Sequence, residues 1–582
     1  MAMPKPNRTK LSSHRKVTKA KNFVNAQMQQ RLQHAVAYHQ RGQLKAAKAL
    51  YEEILQVQPN CADALHLLGV IAAQVRQAHV AIDLIGQSIQ INPINATYHN
   101  SLGNALRDLK RSEEALASFD RAIALHPKFA QAFSNRGNAL QDLKRLEEAL
   151  ASYDRAIVLQ PENAETHNNR GVLLKDLKGL EEALTSFDRA IALQPKYAEA
   201  YSNRGNALRD LMRLDEALAN YDRAIALRPD YAEGYFNRGN ALQDLKRLEE
   251  ALTSYDHAIA LQPDYAEAYL HKSYALLSFG NFEKGWKLHE WRWLKGERTA
   301  KRQLATDWDG QTKSNSLLVL PEQGVGDEIF YSSMLLDALP FTNTLTVPVD
   351  ARLVALFERS FGPYGVRIVD RNSEISPHQH QIYMGSLGQH FRASVESFES
   401  ARSPYLKACS DRRAMLRSQL TGSGNLICGL SWVSKNEKVG EKKSLSLNDL
   451  TPVLSDPGVQ FVNLQYGDTS EEQAWLQKTA GVSLTNVDSV DNFKDLDGLA
   501  ALIDVCDVVI TVSNTTAHLA GALGKPVFVM LPYSSGLFWY WHQNRSDSPW
   551  YPTAKLFRQK TSGDWCGAID DLKRALQQLM QS

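Results

Sequence analysis

The sequence predicts an all-α array of helical repeats followed by an α/β region built on parallel sheets. Prolines recur every 34 residues from Pro59 to Pro263, a period that is typical of paired repeat helices. From Leu317 onward, short apolar runs rich in β-branched residues alternate with amphipathic stretches. Alternation of this kind indicates the strands and helices of a parallel sheet.

The composition is that of an ordinary soluble protein with several domains. The 582 residues are 43% hydrophobic and 22% charged, and the net charge of +2 gives no argument for a nucleic-acid partner. The five cysteines are odd in number, scattered and without a CxxC pair. They fit a reduced, cytoplasmic location and argue against a zinc or disulfide framework. No apolar run reaches the length of a membrane span.

Two polar stretches predict chain without regular structure. Residues 1–27 are basic and lack an apolar core, so we expect a disordered tail rather than a secretory signal. A weak attraction of this tail to an anionic membrane surface is the alternative. Residues 297–316 are polar and predict a linker between the two regions.

Three residue types hold the 34-residue interval, and together they identify tetratricopeptide repeats. Proline closes the second helix of each unit, and small residues stand where the two helices cross closely. We predict seven full repeats and a degenerate eighth over residues 28–296, the eighth capping the array. The periodic positions are Pro59, Pro93, Pro127, Pro161, Pro195, Pro229 and Pro263; Gly69, Gly103, Gly137, Gly171, Gly205 and Gly239; and Ala47, Ala81, Ala115, Ala149, Ala183, Ala217 and Ala251.

Two rows of asparagines run along the first helices of the middle repeats. Equivalent positions in a solenoid stack into rows, and rows that face the concave groove would hydrogen-bond the backbone of an extended peptide. The array resembles the repeats of protein O-GlcNAc transferases, in which an asparagine ladder has that role. The alternative is that these are solvated helix positions. The candidate peptide-binding residues are Asn135, Asn138, Asn169, Asn203, Asn206, Asn237 and Asn240.

The stretch DVVITVSNTTAHLAGALGKPVFVMLP, from Asp507 to Pro532, predicts an anion site. It consists of a strand, a polar loop, a short helix and a second strand. The loop supplies helix caps, and the first turn of the helix leaves N–H groups for a phosphate. Ligands of open α/β sheets bind outside the carboxyl ends of the strands, which is this position. The alternative is an ordinary capped helix without a ligand.

The segment TVSNTTAHLAGALGKPV resembles the donor site of glycosyltransferase family 9, the ADP-heptose:lipopolysaccharide heptosyltransferase group. The chain is similar above all to bacterial proteins that join such a domain to tetratricopeptide repeats. The resemblance covers residues 308–565. It implies two Rossmann-like halves of the GT-B architecture, an acceptor half at 317–410 and a nucleotide-sugar donor half at 424–582. The implied donor-binding residues of the loop are Ser513, Asn514, Thr515, Thr516 and His518, with Ser513 standing where the family often has an acidic residue.

The segment EQGVGDE follows the first strand of the acceptor half. Gly324 and Gly326 allow a tight turn, and Asp327 then begins a helix. The resemblance implies that Asp327 is the general base, which takes the proton of the acceptor hydroxyl during an inverting transfer. Glu328 and Glu322 are the further candidates for that role. The alternative is that Asp327 only caps the helix.

A lysine-rich loop follows the first strand of the donor half. A cation aimed at the leaving nucleoside diphosphate would stabilise its developing charge. Lys443 best matches the basic residue of the family, Lys442 lies beside it, and Lys435 and Lys438 complete the run. The alternative is a solvated charge run. No Asp-x-Asp step stands at a strand end, so we expect metal-independent chemistry with no cofactor beyond the nucleotide sugar.

A third segment, HQNRSDSPWYPTAKLFRQ, resembles a recurrent stretch of the repeat-linked subfamily. Its Arg545 is predicted to pair with a phosphate or a sugar hydroxyl. Trp541, just before it, is a candidate for stacking on a sugar or base, whereas Trp539 is predicted to lie in the core.

Together these features predict a cytoplasmic glycosyltransferase that moves a hexosyl, heptosyl or N-acetylhexosaminyl group from a nucleotide-diphosphate sugar. The predicted acceptor is a protein or peptide presented by the repeats, with a lipid-linked or polysaccharide sugar as the alternative acceptor. The competing class is a scaffold, in which the repeats bind a partner protein and the second region is an inactive transferase-like domain. Donor turnover distinguishes the two classes.

Overall fold

The structure is a computed structural model that describes residues 27–294, 303–420, 426–436, 439–534 and 536–581. The chain divides after Pro229 into two compact units. The tail predicted for residues 1–27 lies, apart from Gln27, outside the described residues. In the described part of the chain, no helix combines the length and the apolar character that a membrane span requires.

The first unit is a succession of helix pairs. From Gly103 onward, the glycine of the first helix of a pair lies against an aromatic ring of the second helix, whereas Gly69 lies against Ile85. A Cβ built on Gly137 would lie 2.6 Å from the Tyr153 ring. Only glycine allows this close approach. The helices are α1 (27–40), α2 (Leu44–Val57), α3 (Ala62–Gln74), α4 (Ala78–Ile91), α5 (Ala96–Asp108), α6 (Ser112–Leu125), α7 (Ala130–Asp142), α8 (Leu146–Leu159), α9 (Ala164–Asp176), α10 (Leu180–Leu193), α11 (Ala198–Asp210) and α12 (Leu214–Leu227).

The turn between the two helices of a repeat contains one residue in the left-handed region. This residue follows the end of the first helix and closes it, as glycine does at many helix ends. Lysine, arginine and methionine all occupy the position, so the turn does not dictate the side chain. The non-glycine residues are Arg76, Lys110, Lys144, Lys178 and Met212 in the first unit and Lys246 in the second, with φ between 59° and 63°. Gly42 and Gly280 hold the same position in the first and last repeats, with φ of 72° and 83°.

The second unit begins with the last helices of the array: α13 (Ala232–Asp244), α14 (Leu248–Leu261), α15 (Ala266–Ser278) and α16 (Phe282–His289). The predicted eighth repeat ends in α16, which contacts the α/β region. Trp286 is 1% exposed and its Nε1 donates to Arg392 O at 2.8 Å. Phe282 and Trp286 are the largest apolar side chains of α16, and both are buried. Because water would otherwise surround these rings, α16 packs against the α/β region.

The first sheet has five parallel strands in the order β1-β5-β2-β3-β4. Its strands are β1 (Thr306–Asp307), β2 (Leu317–Leu320), β3 (Leu345–Val349), β4 (Val366–Asp370) and β5 (His380–Tyr383). The helices of this part are α17 (Val325–Tyr331), α18 (Leu335–Ala338), α19 (Val354–Phe361), α20 (Gly388–Phe391) and α21 (Ser410–Leu420). The short polar strand β1 lies in the stretch predicted as a linker, because a two-residue edge strand needs no apolar run.

The second sheet also has five parallel strands, in the order β10-β9-β8-β6-β7. Its strands are β6 (Leu426–Ser431), β7 (Val459–Asn463), β8 (Val508–Val512), β9 (Val527–Leu531) and β10 (Ala554–Arg558). Its helices are α22 (Gly440–Lys443), α23 (Leu447–Leu454), α24 (Ser470–Ala480), α25 (Leu496–Val505), α26 (Thr515–Ala522) and α27 (Cys566–Gln581). Every residue of β8 and β9 is buried, as continuous apolar strands require. The predicted α/β class of this region is confirmed.

The order of the strands reverses once in each sheet. In the first sheet the reversal falls between β2 and β5, and in the second it falls between β6 and β8. Open parallel sheets bind ligands in the crevice at the carboxyl ends of such strands. The loops after β2 and β8 therefore lie where a ligand of such a sheet is expected.

Candidate functional site

Two helix starts meet between the two sheets. Helix α17 follows β2, and α26 follows β8, so each begins at the reversal point of its own sheet. They touch at Gly326, where an added Cβ would lie 3.4 Å from His518 Cδ2 and 3.7 Å from Thr515 Oγ1. The segments GVGDE and SNTTAH, which are far apart in the sequence, thus lie against each other.

Asn514 caps α26 and uses part of the predicted phosphate cradle. Its Oδ1 accepts from the N–H groups of Thr516 at 3.0 Å and Ala517 at 3.4 Å. Its Nδ2 donates to Ser431 Oγ at 2.9 Å, which ties the loop to the end of β6. Thr515 is half-buried, and its N–H and hydroxyl have no hydrogen bond among the described residues. Thr515 is therefore the member of the loop whose donors are left for a ligand.

Ser513 and Lys443 are joined beneath this loop. Lys443 Nζ donates to Ser513 O at 2.6 Å and lies 4.5 Å from the centroid of the Phe538 ring. Ser513 Oγ accepts from Trp541 Nε1 at 2.8 Å, so this indole is a structural partner of the loop. Lys443 is 3% exposed; burial lowers its pKa to about 8, and the charge of Asp327 opposes that change. The ammonium group thus lies near both the loop and the Asp327 carboxylate.

Asp327 is the third residue of α17 and is half-buried. Its Oδ2 accepts from the N–H of Gly324 at 3.3 Å, a contact that closes the first helical turn. Burial, and then the charge of Asp327, raises the pKa of Tyr540. The charge of Asp327 therefore acts on both Tyr540 and Lys443, and both predicted roles, cap and reactive carboxylate, fit this position.

Glu328, the second candidate base, is part of the framework of the first sheet. Its side chain is fully buried. The carboxylate accepts from the Asp350 N–H at 2.8 Å and from Arg371 Nη1 at 3.2 Å. Burial raises the pKa of Glu328 to about 7. These contacts use Glu328 to hold the end of β3, so its geometry supports a structural role.

Glu322, the third candidate, is paired with an arginine from the end of the repeat array. Arg292 is fully buried and donates to both carboxylate oxygens of Glu322, at 2.8 and 2.9 Å. The same carboxylate accepts from the Gly385 N–H at 2.7 Å, and Arg292 also donates to Ser386 Oγ at 2.7 Å. The ion pair thus joins the end of the array to the residues that follow β2 and β5.

His518 is packed in an aromatic cluster. Its Nδ1 lies 2.8 Å from Tyr551 Oη, and its ring stacks on Trp541 at 5.7 Å. Burial lowers the pKa of His518 to about 3, so the imidazole is neutral at physiological pH. Trp539, predicted to be core, lies in the same cluster, 5.7 Å from the Phe330 ring. Packing accounts for the position of both residues.

The other predicted cations are distributed more widely. Arg545 forms a bidentate ion pair with Asp547, at 2.9 and 2.7 Å, which occupies the guanidinium group predicted to bind phosphate. Lys442 and Lys435 are exposed. Lys438 lies outside the described residues.

A polar cavity opens at the carboxyl end of β7. No sequence motif predicts it. Its volume is about 620 Å³, and its walls come from residues 463–473 and 486–492. Gln465 connects it to the loop after β6, since Gln465 Oε1 accepts from the N–H groups of Trp432 at 2.9 Å and Val433 at 2.8 Å. The only sequence signal is the polar run that follows the apolar strand.

The candidate peptide-binding asparagines bond to one another and to tyrosines of the repeats. In the first unit, amide–amide bonds join neighbouring first helices, and a tyrosine hydroxyl donates to the second asparagine row. The bonds are Asn135 to Asn100 at 3.0 Å, Asn203 to Asn168 at 3.0 Å, Asn169 to Asn138 at 3.3 Å, and Tyr221 to Asn206 at 2.8 Å. In the second unit, Tyr255 donates to Asn240 at 2.8 Å, and Asn237 is 8% exposed. Part of the amide capacity therefore holds the repeats together.

No set of three or more His, Cys, Asp or Glu side chains in the described ranges is arranged to hold a metal ion. The five cysteines are free thiols.

Comparison with known families agrees with the helical part of the fold. Family models described as "TPR repeat" match residues 103–144, 137–178, 173–211 and 205–246, and models described as "Tetratricopeptide repeat" match residues 32–84 and 232–265. The N-terminal region is an array of tetratricopeptide repeats, and this prediction is confirmed. Repeats of this class suggest a protein-interaction scaffold with peptide or protein partners.

Individual relatives cover parts of the chain. Protein FlbA of Caulobacter vibrioides is 32% identical over 329 residues, which are 53% of this chain and 54% of FlbA. The chain thus spans about half the length of this curated relative. Among solved structures, YrrB, described as a TPR protein with an unusual peptide-binding site, is 28% identical and covers 32% of this chain and 97% of its own, with a TM-score of 0.27. A thermophilic TPR protein of Thermus thermophilus is 24% identical and covers 31% of this chain and 100% of its own, with a TM-score of 0.29.

Proposed function

We propose that the α/β region is an inverting glycosyltransferase of the GT-B architecture that uses a nucleotide-diphosphate sugar. The observation that carries the proposal is the meeting of α17 and α26. It sets a half-buried carboxylate, Asp327, near a buried ammonium, Lys443, and beside the open donors of Thr515. A transferase of this kind needs those three elements: a base, a cation and a phosphate cradle.

In the proposed reaction the acceptor hydroxyl gives its proton to Asp327 while its oxygen bonds to the anomeric carbon of the sugar. The bond from that carbon to the diphosphate breaks, and the diphosphate leaves with the electron pair. Lys443 would exchange its bond to Ser513 O for a bond to a phosphate oxygen, and the Thr515 N–H would donate to the same group. Because Lys443 supplies positive charge, no metal ion is needed. Attack on the face opposite the leaving group inverts the anomeric configuration.

The nucleoside would occupy the cavity beside β7. Its volume of about 620 Å³ is within the range of small-molecule sites. Gln465 lines the cavity and accepts a hydrogen bond from Trp432, in the loop after β6. Asn514, at the start of α26, donates to Ser431 at the end of the same strand. The same carboxyl edge of the second sheet would thus hold the nucleoside and the phosphates side by side.

The repeats would supply the acceptor, and we propose a protein or peptide in the cytoplasm. Tetratricopeptide arrays suggest partners of this kind. The half-buried amides of Asn138, Asn169, Asn203 and Asn206 keep exposed area for backbone groups of a peptide. A lipid-linked or polysaccharide acceptor is the alternative, with the repeats then serving assembly.

The experiment is a donor panel with two neighbouring variants. Purified protein is incubated with UDP-, GDP- and ADP-sugars and cell lysate, and nucleoside diphosphate release and labelled-sugar incorporation are followed. Asp327→Asn should lower turnover by about 10² to 10⁴-fold, as loss of a general base does. Glu328→Gln is the matched control, because Glu328 holds the framework, and it should keep turnover. Full turnover by Asp327→Asn would refute the assigned base.

The second candidate function is a scaffold with an inactive transferase-like region. One observation favours it: Lys443 is only 3% exposed and is already bonded to Ser513. In this case the repeats bind a partner and no donor is consumed. If no donor of the panel gives nucleoside diphosphate release, while a nucleoside diphosphate still stabilises the fold, the scaffold function is supported.

A further inference from the structure

A pair of cations faces the loop after β9, at a place that the transferase proposal does not use. Lys246 comes from the turn between α13 and α14, and its Nζ lies 4.5 Å from the centroid of the Tyr533 ring. Arg558 is the last residue of β10. Arg558 pairs in the sheet with Leu531, two residues before Tyr533, so both cations flank this loop. Burial, and then the charge of Arg558, lowers the pKa of Lys246.

The guanidinium group of Arg558 forms only some of the hydrogen bonds that it can donate. Its Nη2 donates to Trp541 O at 2.6 Å, and its Nε donates to Arg545 O at 3.2 Å. Its Nη1 is buried and has no hydrogen-bond partner in the described part of the chain. Burial lowers the pKa of Arg558 to about 10, which is the signature of a guanidinium that has lost water without gaining a carboxylate.

A second buried donor lies on the same loop. Ser534 Oγ also lacks a partner among the described residues. Asp547 is a nearby carboxylate, since its charge acts on His542. It already forms a bidentate ion pair with Arg545. In the described ranges, neither Lys246 nor Arg558 makes an ion pair with an acid. Two partly desolvated cations held together in this way repel one another unless an anion lies between them.

Lys246 differs from its counterparts along the array. Lys110, Lys144 and Lys178 occupy the same left-handed turn position and are exposed, whereas Lys246 is half-buried over Tyr533. Met212 shows that the turn accepts a neutral side chain at this position. The turn therefore does not need a lysine, and the placement of this one requires another explanation.

We propose that Lys246, Arg558 and Ser534 form a binding site for an oxyanion, either a phosphate or a carboxylate group, at the carboxyl ends of β9 and β10. Lysine, arginine and hydroxyl groups offer donors, and phosphate and carboxylate oxygens are acceptors that charge-assisted bonds favour. The anion would be carried either by a nucleotide or by a separate acidic ligand. The site is independent of the transferase proposal, because it requires binding and not turnover.

The test measures binding of inorganic phosphate to the full chain by titration calorimetry. Wild type should bind phosphate saturably, and Lys246→Met should weaken binding by about tenfold or more, through loss of one of two facing cations. Lys144→Met, at the same turn of an earlier repeat, is the matched control and should leave binding unchanged. Lys246→Arg should restore it.

Competition then identifies the source of the anion. If UDP, GDP or ADP displaces phosphate from wild type and Lys246→Met weakens that nucleotide as well, the anion is a nucleotide phosphate. If nucleotide and phosphate bind together, the site takes a separate acidic group, and glutamate or acetate should displace the phosphate. Both results support the site. Absence of saturable phosphate binding, or equal binding by wild type and Lys246→Met with intact tryptophan fluorescence, would overturn it.

Discussion

Replacing Glu328 with glutamine tests whether this carboxylate is a framework group distinct from the neighbouring Asp327. Glu328 is fully buried and accepts from the Asp350 N–H and from Arg371. Glutamine has almost the same shape, and its side-chain oxygen can keep the bond to the Asp350 N–H. The substitution therefore removes one ionisation while leaving the packing in place.

The size of the effect follows from the pKa of Glu328, which burial raises from 4.5 to about 7. A shift of about 2.5 units corresponds to about 3 kcal/mol between the two protonation states. Because the pKa is higher in the folded state, the stabilisation from the protonated carboxyl is complete below pH 4.5 and is lost as the pH rises through 7. Relative to wild type, Glu328→Gln should gain about 2 to 3 kcal/mol of unfolding free energy between pH 5 and pH 8.

The assay is urea unfolding at pH 5 and pH 8, followed by tryptophan fluorescence. All ten tryptophans lie between Trp286 and Trp565, so the signal reports the second unit. If the difference in unfolding free energy between Glu328→Gln and wild type does not increase from pH 5 to pH 8, the buried-carboxyl argument is refuted.

Two further predictions concern packing and ion pairing. Gly137→Ala should cost about 1 to 3 kcal/mol, because the new Cβ would lie 2.6 Å from the Tyr153 ring; circular dichroism melting measures it. Gly86→Ala is its control and should stabilise by up to about 1 kcal/mol, since nothing lies within 4 Å of the added atom. Arg292→Met should cost about 3 to 5 kcal/mol by leaving the buried Glu322 carboxylate without its cation. The double variant with Glu322→Gln should recover part of that loss, and no recovery would contradict the ion-pair account.

The repeats were predictable because their packing is local and periodic. A 34-residue interval carries the glycine, the ring that it contacts and the turn residue in one unit. The end of the array was not predictable in this way. Trp286 and Arg292 are buried by contacts with Arg392 and Glu322, and such long-range pairs leave no pattern in the sequence. The short strand β1 was missed for the same reason, since it pairs through its backbone with β5.

The candidate site was predictable in its segments and less so in its contacts. The apolar strands with polar loops located GVGDE and SNTTAH, but only the fold brings Gly326 against His518. Asn514 was predicted as a donor-binding residue, and the structure shows its side chain capping α26. The sequence of the lysine-rich loop did not indicate which of its lysines is buried. Lys443 is buried, whereas Lys442 beside it is exposed. Side-chain environment, rather than residue type, sets these differences.

The most direct test of the central claim is nucleoside diphosphate release from a panel of UDP-, GDP- and ADP-sugars by wild type and Asp327→Asn. The account predicts release with at least one donor, lowered by about 10² to 10⁴-fold in Asp327→Asn and unchanged in Glu328→Gln. Release that survives intact in Asp327→Asn would contradict the assigned base. No release by wild type with any donor would contradict the transferase itself.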